Sequence, residues 1–123
     1  MVEYYIGVDG GGTKTNAIAT RHDGTTVAVA SAASIHFYAV GMKNARAALQ
    51  DLLQKLQLQG VDLHNAKLFI GSAALFGEAT PEQVTQLCDG LIEMPRVAMD
   101  SDLFVALETM CCESPCAVAI CGT

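Results

Sequence analysis

Residues 6–15 read Ile-Gly-Val-Asp-Gly-Gly-Gly-Thr-Lys-Thr, and they are the most informative segment of the chain. The apolar run 4–8 predicts a strand, and Asp9 stands at its end. Three glycines then break the run, and an apolar-rich stretch, 15–20, resumes after them. Because glycine lets the backbone turn tightly and approach a ligand closely, the pattern predicts two strands joined by a turn whose N–H groups could surround an anion.

The rest of the chain alternates between the periods of strands and helices. Asp23-Gly24 marks a turn before a third strand at 25–32, which completes an antiparallel meander. Apolar residues spaced by three and four between Ala45 and Leu56 predict an amphipathic helix that ends near Gly60. The remaining predicted elements are a strand at 66–70, a helix at 80–89, a strand at 96–99, a helix opened by 100–102 and running to 111, and a strand at 117–121. Strands that alternate with helices pair in parallel, so we expect an α/β domain.

Composition narrows the class of protein. The 123 residues suffice for one domain, and 51% are hydrophobic. The chain has seven Lys and Arg residues and 13 Asp and Glu residues, so its net charge is -6. This charge argues against a nucleic-acid partner. Neither an apolar run of membrane-spanning length nor a basic leader occurs, so we expect a cytoplasmic protein with no membrane partner. The five cysteines include no C-x-x-C pair and are expected to be mainly buried thiols: Cys88, Cys111, Cys112, Cys116 and Cys121.

The glycine stretch fits neither of two common phosphate motifs. A P-loop needs Lys where Thr13 follows Gly12, and a dinucleotide fingerprint needs a third glycine where Thr15 stands and a helix after it. The pattern therefore predicts a hairpin-type phosphate loop, in which Thr13 and Thr15 add hydroxyls and Lys14 adds charge. Asp9 beside it is suited to hold Mg²⁺. The alternative is a glycine-rich turn that binds nothing.

Further candidate residues follow two later strands. The run Met99-Asp100-Ser101-Asp102 puts a carboxylate at the end of a strand, where it could accept a proton from an attacking hydroxyl, although the pattern alone favours helix capping. Ser72 lies among small residues, 71–74, that could line a crevice or allow close packing. His36 forms no recognisable set with the other histidines.

In order along the chain, these pieces resemble the N-acetylglucosamine kinase and BadF/BadG/BcrA/BcrD-type ATPase family of the actin-like, ribonuclease H-like superfamily. Residues 7–15 look like its first phosphate motif, 102–107 are similar to its Asp before an Ala-Leu helix, and 121–123 look like the start of its Gly-Thr-Gly-Ser motif. The resemblance implies a mixed sheet, an antiparallel three-strand meander followed by parallel strands, with helices on both faces.

The resemblance also implies roles for particular residues, with ATP and Mg²⁺ as cofactors. Asp9 would position Mg²⁺, and Asp102 would be the general base for a sugar hydroxyl. The nucleotide phosphates would be held by Gly10, Gly11, Gly12, Thr13, Lys14, Gly122 and Thr123. Sugar contacts would come from His36, which stands where the family often has Asn, and from Ser72, within a sequence that departs from the family's Gly-x-Ala-Gly.

The function implied is ATP-dependent phosphorylation of N-acetylglucosamine, glucosamine or a related hexose. Family members have two such domains, so residues 1–123 are expected to be the N-terminal one, in a protein that forms a homodimer when complete. Two other functions stay open. One is an ATPase activator of a radical dehydratase or reductase, in which the late cysteines would hold an iron–sulfur cluster. The other is a non-catalytic, sugar-sensing relative.

Overall fold

The fold is known from a computed structural model that describes residues 4–75, 79–92 and 97–101. Within these residues, five strands form one sheet, connected by three α-helices and a 3₁₀ helix. In chain order the elements are β1 (Tyr4–Gly10), β2 (Lys14–Arg21), β3 (Thr26–Ala33), α1 (Phe37–Val40), α2 (Met42–Leu58), the 3₁₀ helix (Leu63–Asn65), β4 (Ala66–Ser72), α3 (Pro81–Cys88) and β5 (Val97–Ser101).

The sheet is mixed, as the alternation of strands and helices predicts. Its strand order is β3-β2-β1-β4-β5. The pairs β1–β2 and β2–β3 are antiparallel, whereas β1–β4 and β4–β5 are parallel. The meander and the two parallel strands are therefore confirmed.

One face of the sheet carries the core. Alternate residues of β1, β2 and β4, such as Ile6, Val8, Leu68 and Ile70, are buried and form one cluster with the apolar side of α2. Helix α3 adds Leu87 and Cys88 to the same cluster. The opposite face leaves Ile18 and Val29 exposed. The expected helices on both faces are thus found on one face in the described residues, and the predicted helix up to 111 lies outside them.

Local signals explain where α2 and α3 begin and end. Gly41 and Gly60, which flank α2, have φ of 86° and 102°, in the left-handed region that favours glycine. At the start of α3, the Thr80 hydroxyl accepts from the Gln83 N–H at 3.2 Å, and the Gln83 side chain accepts from the Thr80 N–H at 2.9 Å. This capping box, with Pro81 in the first turn, is the one the sequence predicts.

The elements differ from the prediction at several points. The short helix α1 has no clear periodic signal and was not predicted. Gly10 belongs to β1 rather than breaking it, because it pairs with Thr15 of β2 and Ser72 of β4. Asp100 and Ser101 extend β5 through pairing with β4, and so do not open the predicted helix.

Side chains from α2 and from Gln59, which directly follows it, cover part of the outer edge of β3. The Gln59 amide accepts from the Val29 N–H at 3.3 Å and donates to the Val29 carbonyl at 2.7 Å. Lys55 donates to the Ser31 carbonyl at 2.6 Å. Backbone groups that an edge strand would offer to another chain are therefore partly occupied. No helix in the described ranges has both the length and the apolar character needed to cross a membrane.

Cys88 is a free thiol inside the core. Burial raises its pKa from an ordinary value of 9.0 to about 12, although the nearby positive charge of Arg46 acts in the opposite direction. The expectation of a buried thiol is confirmed here. The other four cysteines lie outside the described residues.

Candidate functional site

Four chain segments meet at one edge of the sheet. Because β1, β4 and β5 are parallel, their carboxyl ends lie together. β3 runs the same way as β1, since both are antiparallel to β2, so the segment that leaves β3 at Ser34 starts from this edge too. This edge is the usual place for a ligand in an open α/β sheet.

The turn between β1 and β2 is tighter than the three glycines suggest. The Gly11 N–H donates to the Lys14 carbonyl at 3.0 Å, which leaves Gly12 and Thr13 at the tip. Gly12, Thr13 and Lys14 are exposed. A Cβ added at Gly12 would meet no heavy atom within 4 Å, so the tip borders open space. The predicted hairpin-type turn is present, and its tip is accessible to a ligand.

Gly10 is surrounded by protein. A Cβ there would lie 2.7 Å from Cγ1 of Ile35 and 3.1 Å from the Gly71 carbonyl oxygen. The Gly10 carbonyl accepts from the Ala73 N–H at 2.8 Å. Close approach of neighbouring chain segments therefore requires glycine at this position, and the backbone has negative or extended φ rather than the left-handed conformation.

Asp9 and Asp100 occupy one row of the sheet. Asp9 pairs with Gly71, and Gly71 pairs with Asp100 on its other side. Residues in register share a face, so both carboxylates lie on the face opposite the core, with no side chain between them. Two strand spacings put their Cα atoms about 10 Å apart. Asp9 is exposed and Asp100 is half-buried.

The segment after β3 is tied to the glycine turn by a hydroxyl. Ser34 is buried, and its Oγ donates to the Gly11 carbonyl at 3.2 Å. The same oxygen accepts from the His36 N–H at 3.0 Å. The His36 ring contacts the Tyr38 ring edge-on, with centroids 6.4 Å apart. The structure thus brings His36 close to the glycine turn, a relation that sequence spacing does not show.

Two hydroxyls among the predicted site residues are used inside the protein. Thr15 is fully buried and donates to the Ala33 carbonyl at 2.8 Å, which corrects the expectation that it offers a hydroxyl to phosphate. Ser72 is also fully buried, and its Oγ accepts from the Ala74 N–H at 3.1 Å. This burial favours a structural part for Ser72 at the end of β4.

Three predicted site residues, Asp102, Gly122 and Thr123, lie outside the described residues. Asp100, two positions before Asp102, is the last carboxylate that the structure places at this edge. Sequence reasoning included Asp100 only as part of the acidic run and did not consider Ser34. The acidic run 100–102 was a signal for the first. A lone serine in an apolar stretch gave none for the second.

The fold and site together define a mixed α/β domain with a glycine hairpin at the carboxyl edge of its sheet. No family model matches the chain. An N-acetyl-D-glucosamine kinase from Dictyostelium discoideum is 31% identical over 77 residues, which are 59% of this chain and 24% of that protein.

A similar fold occurs in the crystal structure of a Chromobacterium violaceum protein that carries the provisional name N-acetylglucosamine kinase. The TM-score is 0.65 at 21% identity, over 84% of this chain and 36% of that one. Sequence and fold together support the relationship to N-acetylglucosamine kinases that the motifs indicate. The chain spans between a quarter and a little over a third of the length of these relatives.

Proposed function

We propose that this chain is part of an ATP-dependent kinase for N-acetylglucosamine, glucosamine or a related hexose. The names of the two relatives support a sugar kinase. The structural observation that carries the proposal is the exposed tip of the glycine turn beside Asp9, at the carboxyl edge of the sheet. Phosphoryl transfer depends mainly on positioning and charge neutralisation, which this arrangement can provide.

The nucleotide phosphates bind at the turn in this proposal. Gly12, Thr13 and Lys14 are exposed, and the space next to Gly12 is open to a phosphate group. Gly10 and Gly11 shape the turn, and Lys14 adds a positive charge. Gly122 and Thr123 complete the phosphate site through the resemblance to the second phosphate motif.

Asp9 fits a Mg²⁺ ion that is held mainly by water and phosphate. The described residues contain no cluster of three or more metal-ligating side chains. Mg²⁺ with a nucleotide usually takes only one or two protein carboxylates and keeps several waters. The exposed carboxylate of Asp9 can meet this need directly or through water. When bound, the ion would neutralise charge on the β- and γ-phosphates.

The sugar lies beside the turn, between the His36 segment and the carboxyl ends of β4 and β5. Asp102 accepts the proton of the attacking hydroxyl. The hydroxyl oxygen then forms a bond to the γ-phosphorus, and the bond to the bridging oxygen breaks to release ADP. His36 contacts the sugar. Ser72, whose side chain is buried, supports the strand end on which the sugar rests.

The proposal extends to the whole protein. The chain is the N-terminal domain of a two-domain, ribonuclease H-like kinase, with the nucleotide between the domains and a homodimer as the assembly. The partial coverage of both relatives agrees with a longer protein.

The test is ADP release from the longest form of the protein, coupled to NADH oxidation, with Mg·ATP and a panel of hexoses and amino sugars. Release that depends on N-acetylglucosamine or glucosamine supports the proposal. Asp102→Ala should bind ATP yet lose transfer by about 10²–10⁴-fold. Asp9→Asn should raise the Mg²⁺ requirement, whereas Asp51→Asn, which removes an exposed carboxylate on α2, should not.

ADP release without a sugar requirement would contradict the proposal and favour the activator function. Sugar binding without any ADP release would favour the non-catalytic relative.

A further inference from the structure

We propose that Ser34 is a positioning residue that couples the glycine turn to the His36 segment, so that nucleotide and sugar bind cooperatively. The inference rests on the proposed function for its catalytic consequence. The link itself is a property of the described residues and can be tested without turnover.

The Ser34 hydroxyl joins the glycine turn to the His36 segment. Its Oγ–H donates to the Gly11 carbonyl, and its oxygen accepts from the His36 N–H. Ser34 is only 6% exposed. Because water has little access, neither bond is readily replaced when the hydroxyl is lost.

Ser34 bonds to each segment next to the part that would contact a ligand. Gly11 is the last residue before the tip of the turn, and its N–H already bonds to Lys14. His36 precedes α1, and its carbonyl accepts from the N–H groups of Ala39 and Val40. Ser34 therefore provides a hydrogen-bonded path from Gly11 to the start of α1, beside the packing of Ile35 against Gly10.

The His36 side chain has an unused polar group. Its Nδ1 is buried and has no hydrogen-bond partner within the described part of the chain. Buried polar atoms are usually paired, so such an atom marks a position at which a ligand or water is expected. Ordering of the turn by phosphate would fix the His36 backbone and thus the ring that carries this atom. This is the physical basis of the coupling.

The variants separate the hydroxyl from the shape of the side chain. Ser34→Ala removes the hydroxyl. Ser34→Thr and Ser34→Val form a matched pair, since both add the same bulk in a buried place and differ in the hydroxyl. Comparison of Thr with Val isolates the hydrogen bonds even if each variant is less stable than the wild type.

The first measurement is amide hydrogen exchange at His36, whose N–H donates to Ser34 Oγ, in the ligand-free protein. We expect exchange about fivefold faster or more in Ser34→Ala and Ser34→Val than in the wild type, with most of the protection retained in Ser34→Thr. Equal exchange in the Thr and Val variants would overturn the structural link.

The second measurement compares the KM for the sugar at low and at saturating Mg·ATP in the longest form of the protein. The factor by which this KM falls measures the coupling. We expect this factor to fall towards one in Ser34→Val and to be retained in Ser34→Thr. A merely structural residue would lower Tm and leave the factor unchanged, and that result would overturn the coupling. A wild-type factor of one would overturn it as well. A wild type without sugar-dependent transfer would instead contradict the proposed function, and the exchange data would still decide the link.

Discussion

Gly10 faces Ile35 so closely that a Cβ on Gly10 would lie 2.7 Å from Cγ1 and 2.8 Å from Cδ1 of that side chain. Two residues further on, a Cβ on Gly12 would meet no heavy atom within 4 Å. Glycine is therefore suited to these two positions of one motif for different physical reasons. The first allows close packing of the protein, and the second leaves room for a ligand.

Alanine substitutions should separate these two reasons. Gly10→Ala should destabilise the domain by about 1–3 kcal/mol, because Ile35 must move and the Gly71 carbonyl lies 3.1 Å away. Gly12→Ala should leave the free energy of unfolding almost unchanged and weaken ATP binding. Urea unfolding and nucleotide titration measure the two effects. Equal destabilisation by both substitutions would contradict the distinction.

Gln59 should protect the outer edge of β3. Gln59→Ala removes the bonds to both backbone groups of Val29, and we expect a loss of about 1 kcal/mol in stability. The uncovered edge should also increase self-association, which light scattering detects as a function of protein concentration.

Gln54→Ala is the matched control for Gln59, because it removes an exposed amide from α2, the helix that Gln59 directly follows. It should change neither stability nor association by a comparable amount. Association of Gln59→Ala no greater than that of this control would contradict a protective role.

The capping box of α3 should contribute measurably to stability. Thr80→Ala loses the bond to the Gln83 N–H, and we expect a cost of about 1 kcal/mol in the free energy of unfolding. Thr85→Ala removes a second threonine hydroxyl from the same helix. That hydroxyl donates to the Pro81 carbonyl within the helix, a bond that does little for stability, so this variant should be neutral or slightly more stable.

Cys88 should make stability fall at alkaline pH. Its pKa is raised to about 12 in the folded protein from an ordinary 9.0, so the folded state binds the proton more tightly than the unfolded state between these values. Stability from this group is fully present below pH 9.0 and is lost as pH rises towards 12, by at most about 1.4 kcal/mol per pH unit.

Chemical unfolding of the wild type and Cys88→Ala at several pH values between 8 and 11 measures this difference. The alanine variant should show the shallower decline, although its cavity lowers stability at every pH. Parallel curves for the two proteins would contradict the assigned cause.

Much of the fold is predictable from local patterns. The strands of the meander, the helix α2 with its flanking glycines and the capping box of α3 all follow from short-range features. Hydrophobic period and turn chemistry act over a few residues, which is why sequence reasoning reaches them. The short helix α1 lacks such a period, and its position depends on contacts with α2.

The site was predictable only in part. The glycine turn and its neighbour Asp9 are continuous in sequence, so their proximity needed no tertiary information. The assignment of Thr15 to phosphate was wrong because burial depends on which face of β2 meets the core. A shift of one residue in the start of β2 reverses that face, and sequence alone does not fix such a start.

Local patterns suffice to predict an α/β chain with a glycine turn suited to an anion, because alternation, periodicity and glycine chemistry act over a few residues. The folded structure is needed to show that Asp9, Gly71 and Asp100 share one row and that Ser34 joins the turn to His36. These relations join residues separated by up to about ninety positions. They depend on strand order and register, which arise when the whole core packs together.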